Sequence, residues 1–264
     1  MTQSSFAWDG RKIDSIEGFK EYLATLKAPY WLKGVTVHHS YIPDQKTWHG
    51  QKTVDGMKDY YKNRVQWRDS RGQIQYGWSA GPHLFLAPDN AHWIGTPLNQ
   101  QGIHAGAFNS SFIGIENIGN FDISAPDEAV RKRCIDAIVA IFQWKGIQTA
   151  SIDTVRGHRE CGSSKSCPGS KWDMNQFRRD LGVALHNATM PVSGIQRWQI
   201  TREPCPVRIS RDVRASKALG NTAQLPIGQI VDVDDVTNGW LHLAQSNPFR
   251  DLGFIQIEHA TRLL

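Results

Sequence analysis

Segments with helical apolar spacing alternate with short β-branched runs from residue 15 to about residue 186, and after about residue 200 only short β-type runs remain. This change of period constrains the fold more than any other feature. Alternating elements need a sheet covered by helices, whereas short strands separated by turns suit a small barrel. Ser15 is placed to cap a helix carrying Ile16, Phe19, Leu23 and Leu26, and Val35-Thr36-Val37 reads as a strand running into His38-His39-Ser40. Thr53 is placed to cap a second helix with Val54, Met57, Tyr60 and Tyr61, ahead of a loop rich in Gly, Asp and Ser. His83 to Ala87 and Ala91 to Ile94 flank the turn Pro88-Asp89-Asn90 and predict a hairpin, and Ile113 to Ile118 predicts a further strand. Ser124 with Asp127 resembles a capping box before Val130, Cys134, Ile138, Ile141 and Phe142, with Gly146 behind them. Ser170 and Asp173 repeat the pattern before Met174, Phe177, Leu181 and Leu185. The expected organisation is an α/β domain over residues 1–186 with a mixed central sheet flanked by helices, a linker over 187–199, and a small all-β domain over 200–264.

The 264 residues suffice for one large domain or a medium domain with an appendage. No run approaches the ~18 consecutive apolar residues of a bilayer span, so membrane insertion is not expected. The net charge of +5 is a small surplus spread through both parts rather than gathered on one helix or arm, which argues against a nucleic-acid partner. A monomer is expected. The amino-terminal MTQSSFAWDGR has neither a basic n-region with an apolar stretch nor a small-residue cleavage site, which predicts synthesis in the cytoplasm without a signal peptide. Cys134, Cys161, Cys167 and Cys205 are irregularly spaced, against a disulfide framework. Cys134 falls on the apolar face of its helix and reads as core.

Zinc hydrolysis needs neutral imidazoles or a thiolate as ligands and one position left open for water. His38 and His39 stand at the end of a predicted strand, and GHRECGSSKSCPGSKWD, Gly157 to Asp173, brings His158 and Cys167 to either side of Lys165. Adjacent strand residues point to opposite faces, so only one of His38 and His39 can enter such a site. Two plainer readings of the loop stay open: Cys161 could pair with Cys167, removing the ligand, and Lys165 could be an ordinary solvated charge. His83 and His92, in the hairpin, read as structural or surface residues. Glu116 lies on a strand with Ile113, Ile115 and Ile118, where a buried carboxylate needs a partner.

The segments VTVHHS, GPHLFLAPDN, GIHAGAFNSSFIGIENIGNFD and GHRECGSSKSCPG occur in this order. Together they resemble the zinc-dependent N-acetylmuramoyl-L-alanine amidase family, which includes phage lysozyme-type amidases, bacterial anhydromuropeptide amidases and animal peptidoglycan recognition proteins. The resemblance covers roughly residues 30 to 180. It implies that His38, His158 and Cys167 hold Zn2+, that Glu116 and Lys165 are catalytic, and that His104 and Asn109 of the HAGxxN segment contact substrate. Where phage members often carry Tyr directly before the His of a strand, this chain has Gly81-Pro82-His83, which predicts that no tyrosine hydroxyl assists. Farther on, DVRAS, LPIGQIVDV, NGWLHL and LGFIQIEHATRLL resemble the bacterial SH3-like family, commonly a wall-binding appendage.

The reaction this resemblance implies is hydrolysis of the amide joining N-acetylmuramic acid to L-alanine in peptidoglycan. Glu116 would move the water's proton to the leaving amine, and Lys165 would stand at the developing oxyanion. Trp48, Trp78 and Trp93 are candidate sugar-contacting walls. The expected setting is a phage or prophage-type endolysin that reaches the cell wall after release from the cytoplasm. The alternatives are a peptidoglycan recognition module without turnover and an intracellular muropeptide-recycling amidase. The SH3-like stretch favours polymeric wall over soluble muropeptide.

Overall fold

The computed structural model describes residues 6–189, 196–201, 205–206, 224–225, 230–237, 240–243, 254–256 and 260–262. The chain divides into two compact units, Met1–Ala188 and Thr189–Leu264. In the first, a six-stranded sheet has the order β1 (Lys12–Ile13), β6 (His92–Ile94), β5 (Leu84–Leu86), β7 (Phe112–Asn117), β2 (Gly34–His39), β8 (Val155–Gly157). The pairs β5/β7, β7/β2 and β2/β8 are parallel, whereas β6 and β1 add antiparallel at one edge. Parallel neighbours need long crossovers. The helices of this unit are α1 (Ile16–Ala24), α2 (Gln51–Asp59), α3 (Glu128–Lys145) and α4 (Met174–Thr189). This is the expected mixed sheet flanked by helices.

The strands sort the two faces. Val35 and Val37 of β2, Ile113 and Ile115 of β7, and Leu84 and Leu86 of β5 join one core with Phe19 of α1, Phe142 of α3 and Phe177 of α4. The intervening residues turn to the opposite face. There Phe85, Ala87 and Trp93 pack with Val54 and Met57 of α2. Every residue of β2 and β7 is therefore buried, as expected of parallel strands covered on both sides.

Helix ends follow side-chain chemistry, with shifts from the expected caps. Ser15 accepts from the Gly18 N–H at 3.0 Å and caps α1 as expected. At α3 the cap is Asp127, accepting from Val130 N–H at 2.8 Å, rather than Ser124. At α4 Asp173 takes the same part, accepting from the N–H groups of Asn175 and Gln176. An acidic oxygen answers both the orphan amides and the positive helix end. Gly146, at φ 81°, ends α3 in the left-handed region that favours glycine. For α2 the chain starts at Gln51, and the Thr53 hydroxyl instead accepts from the His49 N–H at 2.8 Å.

Two elements were not legible. Tyr60–Arg64 continues α2 as one wide turn, closed by the Val65 N–H on the Tyr60 carbonyl at 2.9 Å. The stretch expected as a loop contains the hairpin β3 (Gln66–Arg68) and β4 (Ile74–Tyr76), whose strands are too short for an alternation signal.

In the second unit the described strands form an antiparallel five-stranded sheet, ordered Phe254–Gln256, Trp240–Leu243, Ile230–Thr237, Gln196–Ile200, Ala260–Arg262. Cys205–Pro206 pairs with Gln224–Leu225. Trp198, Val231, Leu241 and Ile255 share its core. Gln196–Ile200 pairs on both sides although the linker was expected to run to 199, and α4 runs to Thr189. The expected strand Val207 to Ser210 lies outside the described residues. Among the described residues no helix is long and apolar enough to cross a membrane.

Candidate active site

Three parallel strands end in one crevice. His38 lies near the end of β2, Glu116 near the end of β7, and His158 directly follows β8. The parallel register sets His38 beside Glu116, so both side chains leave the same face of the sheet. Loops diverge at such carboxyl ends and leave room for a ligand. The cleft here has a volume of about 1240 Å³, and its lining includes Tyr61, Trp78, Glu116, Lys165 and Cys167.

One ligand atom each from His38, His158 and Cys167 lies within 4.8 Å of the others. His38 Nδ1 and Cys167 Sγ are 3.6 Å apart. Tetrahedral zinc with Zn–N of ~2.0 Å and Zn–S of ~2.3 Å holds N and S about 3.5 Å apart. Burial takes the His38 pKa well below the ordinary histidine value, with His104 and His158 adding to it. Burial, followed by Lys165, lowers His158 to about 4. Both imidazoles thus keep a lone pair at neutral pH. Burial, then Glu116, pushes the Cys167 thiol up; a cation at this position would displace its proton. By separation and by donor chemistry the set fits a zinc ion.

The loop carrying Cys167 is tied down by two residues that the motifs did not single out. Arg159 donates its main-chain N–H to the Cys167 carbonyl at 2.7 Å, and its guanidinium to the carbonyls of Gly169 and Trp172, each at 2.6 Å. Asp122 accepts from the Ser170 N–H at 2.6 Å and the Ser166 hydroxyl at 2.8 Å. Cys161 and Cys167 are both free thiols, so the small-loop disulfide does not form. Cys161 turns its thiol to the Gly157 carbonyl instead.

Glu116 is buried, and burial lifts its pKa to about 8 against the pull of Tyr61 and Lys165. The Tyr61 hydroxyl donates to Glu116 Oε1 at 3.5 Å, while Oε2 has no partner among the described residues. This corrects the expectation drawn from Gly81-Pro82-His83: a tyrosine does reach the site, from the wide turn after α2. The available signal was helical spacing, since Val54, Met57 and Tyr61 fall at i, i+3 and i+7 on one face. Tyr60, its neighbour, is half exposed and also lines the cleft. Lys165 is exposed on the cleft wall.

His104 and Asn109 make internal contacts. His104 Nδ1 is 3.1 Å from His38 Nε2, and its Nε2 is 3.0 Å from the Phe112 carbonyl. Asn109 Oδ1 accepts from the N–H groups of His104 and Ala105 at 2.9 and 2.7 Å. His39 faces away from the three donors, its Nδ1 accepting from the Phe121 N–H. His83 and His92 are buried rather than at the surface. Of the three candidate tryptophan walls only Trp78 lines the cleft, stacked on Tyr61 with centroids 5.7 Å apart. Trp93 is buried in the core beneath α2, and Trp48 packs against it.

A family model described as N-acetylmuramoyl-L-alanine amidase matches residues 28–170, more than half of the chain. No curated protein matches. Among solved structures, the endolysin N-acetylmuramoyl-L-alanine amidase LysCS from Clostridium intestinale URNW is 19% identical, over 58% of this chain and 86% of that one, with a TM-score of 0.42. Wild-type Drosophila PGRP-LB is 23% identical over 55% and 78%, with a TM-score of 0.41. PGRP-SA of Apis mellifera is 18% identical over 57% and 84%, with a TM-score of 0.44.

Proposed function

The chain belongs to the N-acetylmuramoyl-L-alanine amidase family, and on that premise we propose that it hydrolyses the amide between N-acetylmuramic acid and L-alanine in peptidoglycan, with Zn2+ held by His38, His158 and Cys167. The main support is the register pairing of Glu116 with His38, which sets a carboxyl group with one buried oxygen unpartnered among the described residues beside three converging donors. When bound, zinc supplies Lewis-acid polarisation of a carbonyl and lowers the pKa of a water. Glu116 takes the proton of the attacking water and passes it to the leaving amine. A cation nearby favours the carboxylate over the neutral form that burial alone prefers. Tyr61 holds one oxygen of that carboxylate and leaves Oε2 to carry the proton. Lys165 faces the developing oxyanion and stabilises it by its charge. The contacts of His104 and Asn109 support a part in building the site wall rather than in gripping substrate.

The cleft, at about 1240 Å³, exceeds the ~300–1,000 Å³ of ordinary small-ligand pockets and suits an extended polymer segment. The antiparallel second unit is taken as an SH3-like wall-binding module. The whole then reads as an endolysin-type enzyme that acts on the wall after release from the cytoplasm.

Incubating zinc-loaded full-length protein with a muramyl peptide tests this. The expected result is a new L-alanine amino group that accumulates as substrate disappears, is abolished by chelation and returns with zinc. Binding without that amine would make the chain a recognition module. Cleavage of soluble anhydromuropeptide but not of sacculi would make it a recycling enzyme.

A further inference from the structure

Building on the zinc site proposed above, we propose that His104 is a positioning residue that decides which nitrogen of His38 faces the metal. The ring of His104 bridges His38 and a main-chain carbonyl. Its Nε2 lies 3.0 Å from the Phe112 oxygen, an atom that can only accept, so Nε2 carries the hydrogen. A neutral ring then has a bare Nδ1, and this atom is 3.1 Å from His38 Nε2. His38 must therefore donate from Nε2, which leaves Nδ1 as its lone pair. Nδ1 is the atom 3.6 Å from Cys167 Sγ, on the side of the metal donors. One backbone carbonyl sets two tautomers in series. Both nitrogens of His104 are used inside the protein, which leaves neither for a substrate.

The surroundings hold the ring in that place. A Cβ at Gly114 would stand 2.5 Å from His104 Cγ, so the ring lies where a strand residue would otherwise put its side chain. Glycine in the interior of a strand weakens it and marks a close approach; here the approach is that of His104. The Gly114 N–H donates to His83 Nδ1 at 2.9 Å, and the rings of His83 and His104 meet edge to face with centroids 5.5 Å apart. Asn109 fastens the main chain of His104 and Ala105 from the other end. His104 is buried at the wall of the cleft, with little of it open to water. Metal-ligating histidines ordinarily give their second N–H to a carboxylate, a carbonyl or water. In this protein a neutral imidazole relays that part from the carbonyl.

Full-length wild type, His104→Leu and His104→Gln separate the possibilities when zinc affinity is read by competition with a chromophoric chelator. His104→Leu, which removes the acceptor, should weaken zinc binding about 10–100-fold. His104→Gln, which keeps a side-chain carbonyl, should recover most of the loss, and the absorption bands of the cobalt-substituted forms should follow the same order. Leucine binding as tightly as wild type would overturn the relay, since a residue that merely fills space predicts this outcome. Nitrogen-15 NMR of the histidines in metal-free wild type decides the matter if the leucine variant does not fold: a hydrogen on Nδ1 of His104 overturns the proposal, and one on Nε2 supports it. Wild type that takes up no zinc would instead overturn the metal site, and the relay with it.

Discussion

Tyr61 and Glu116 are joined phenol to carboxylate at 3.5 Å although 55 residues separate them. Tyr61 comes from the wide turn that ends the α2 segment, and Glu116 from the strand beside His38. The link occupies Oε1 and leaves the buried Oε2, the atom expected to move a proton, without a partner among the described residues. Substitution of Glu116→Gln should lower kcat by about 10²–10⁴ with zinc content unchanged, since proton transfer acts in the transition state. Tyr61→Phe removes one hydrogen bond, about 1 kcal/mol, and should slow turnover several-fold. Near-wild-type turnover of Glu116→Gln would mean that another group is the base.

The two cysteines of the late loop should behave differently. Cys167 offers its sulfur to the donor set, whereas Cys161 turns to a main-chain carbonyl. Zinc measured by atomic spectroscopy should fall sharply in Cys167→Ser and stay near one per chain in Cys161→Ser. Equal losses would show that the loop has been misassigned.

Asp122 is not a proposed ligand, yet Asp122→Ala should weaken zinc binding. It fastens Ser166 and Ser170, which flank Cys167, and the hydrogen bonds hold its carboxyl below the usual range, the Ser170 N–H most of all. Losing these bonds should leave Cys167 looser and weaken zinc affinity roughly tenfold, as for other groups that orient a metal ligand. Chelator competition reads it directly, and unchanged affinity would mean that Asp122 does not hold Cys167 in place.

Acid should destabilise the fold through its buried histidines before the exposed carboxylates titrate. Burial lowers His83 to about 4 and, with Arg133 adding, His92 to about 4. In the unfolded chain each titrates near ~6.5. The unfolded state therefore takes up protons first as pH falls. Each histidine contributes stability that is present above ~6.5 and lost on the way down through 4, on the order of 3 kcal/mol apiece. Urea midpoints on metal-free protein should drop between pH 7.5 and 4.5, and His92→Phe, packed on Phe19, should flatten the slope. Because Glu116, lifted to about 8, acts in the opposite sense over the same range, the comparison with wild type is what decides: an unchanged slope in His92→Phe would contradict the burial of that ring as a neutral group.

If the second unit is a wall-binding module, its removal should affect polymer and not chemistry. A fragment ending at residue 189 preserves all of α4, which a cut at 186 would shorten. It should cleave soluble muropeptide at close to the full-length rate and lose activity on sacculi, because a tethered second contact raises effective concentration only where the polymer offers one. Equal loss on both substrates would mean that the second unit supports the fold of the first.

Elements whose signals lie within a few residues were legible in the sequence. The β-branched run before His38, the turn at Pro88-Asp89-Asn90 and the apolar face of α3 all became the expected elements. Each depends on alternation or helical spacing between near neighbours, which survives in a linear reading. The wide turn at Tyr60–Arg64 and the three-residue strands of β3 and β4 did not announce themselves, because neither is long enough to show a period. At α3 and α4 capping was right in kind and displaced in position: Ser and Asp both fit the pattern, and only the path of the backbone selected Asp127 and Asp173.

The sequence by itself determined the kinds of donor available, two histidines and a cysteine around a lysine-bearing loop, and the periodic elements that hold them. Tertiary structure decided how these groups meet. His38 and Cys167 are 129 residues apart and come within 3.6 Å only because β2 and β8 pair and Arg159 and Asp122 fold the loop back. Alternation leaves His38 and His39 on opposite faces but does not say which face holds the cleft. That was set by the burial of Val35 and Val37 against α1 and α3, which turned His38 toward α2, Tyr61 and Glu116. His104 shows the same division: its residue type was readable, but the partner of each ring nitrogen depended on the packing of β7 and the gap over Gly114. Local propensities act between neighbours in the chain, whereas a hydrogen bond between distant strands exists only once their register is in place.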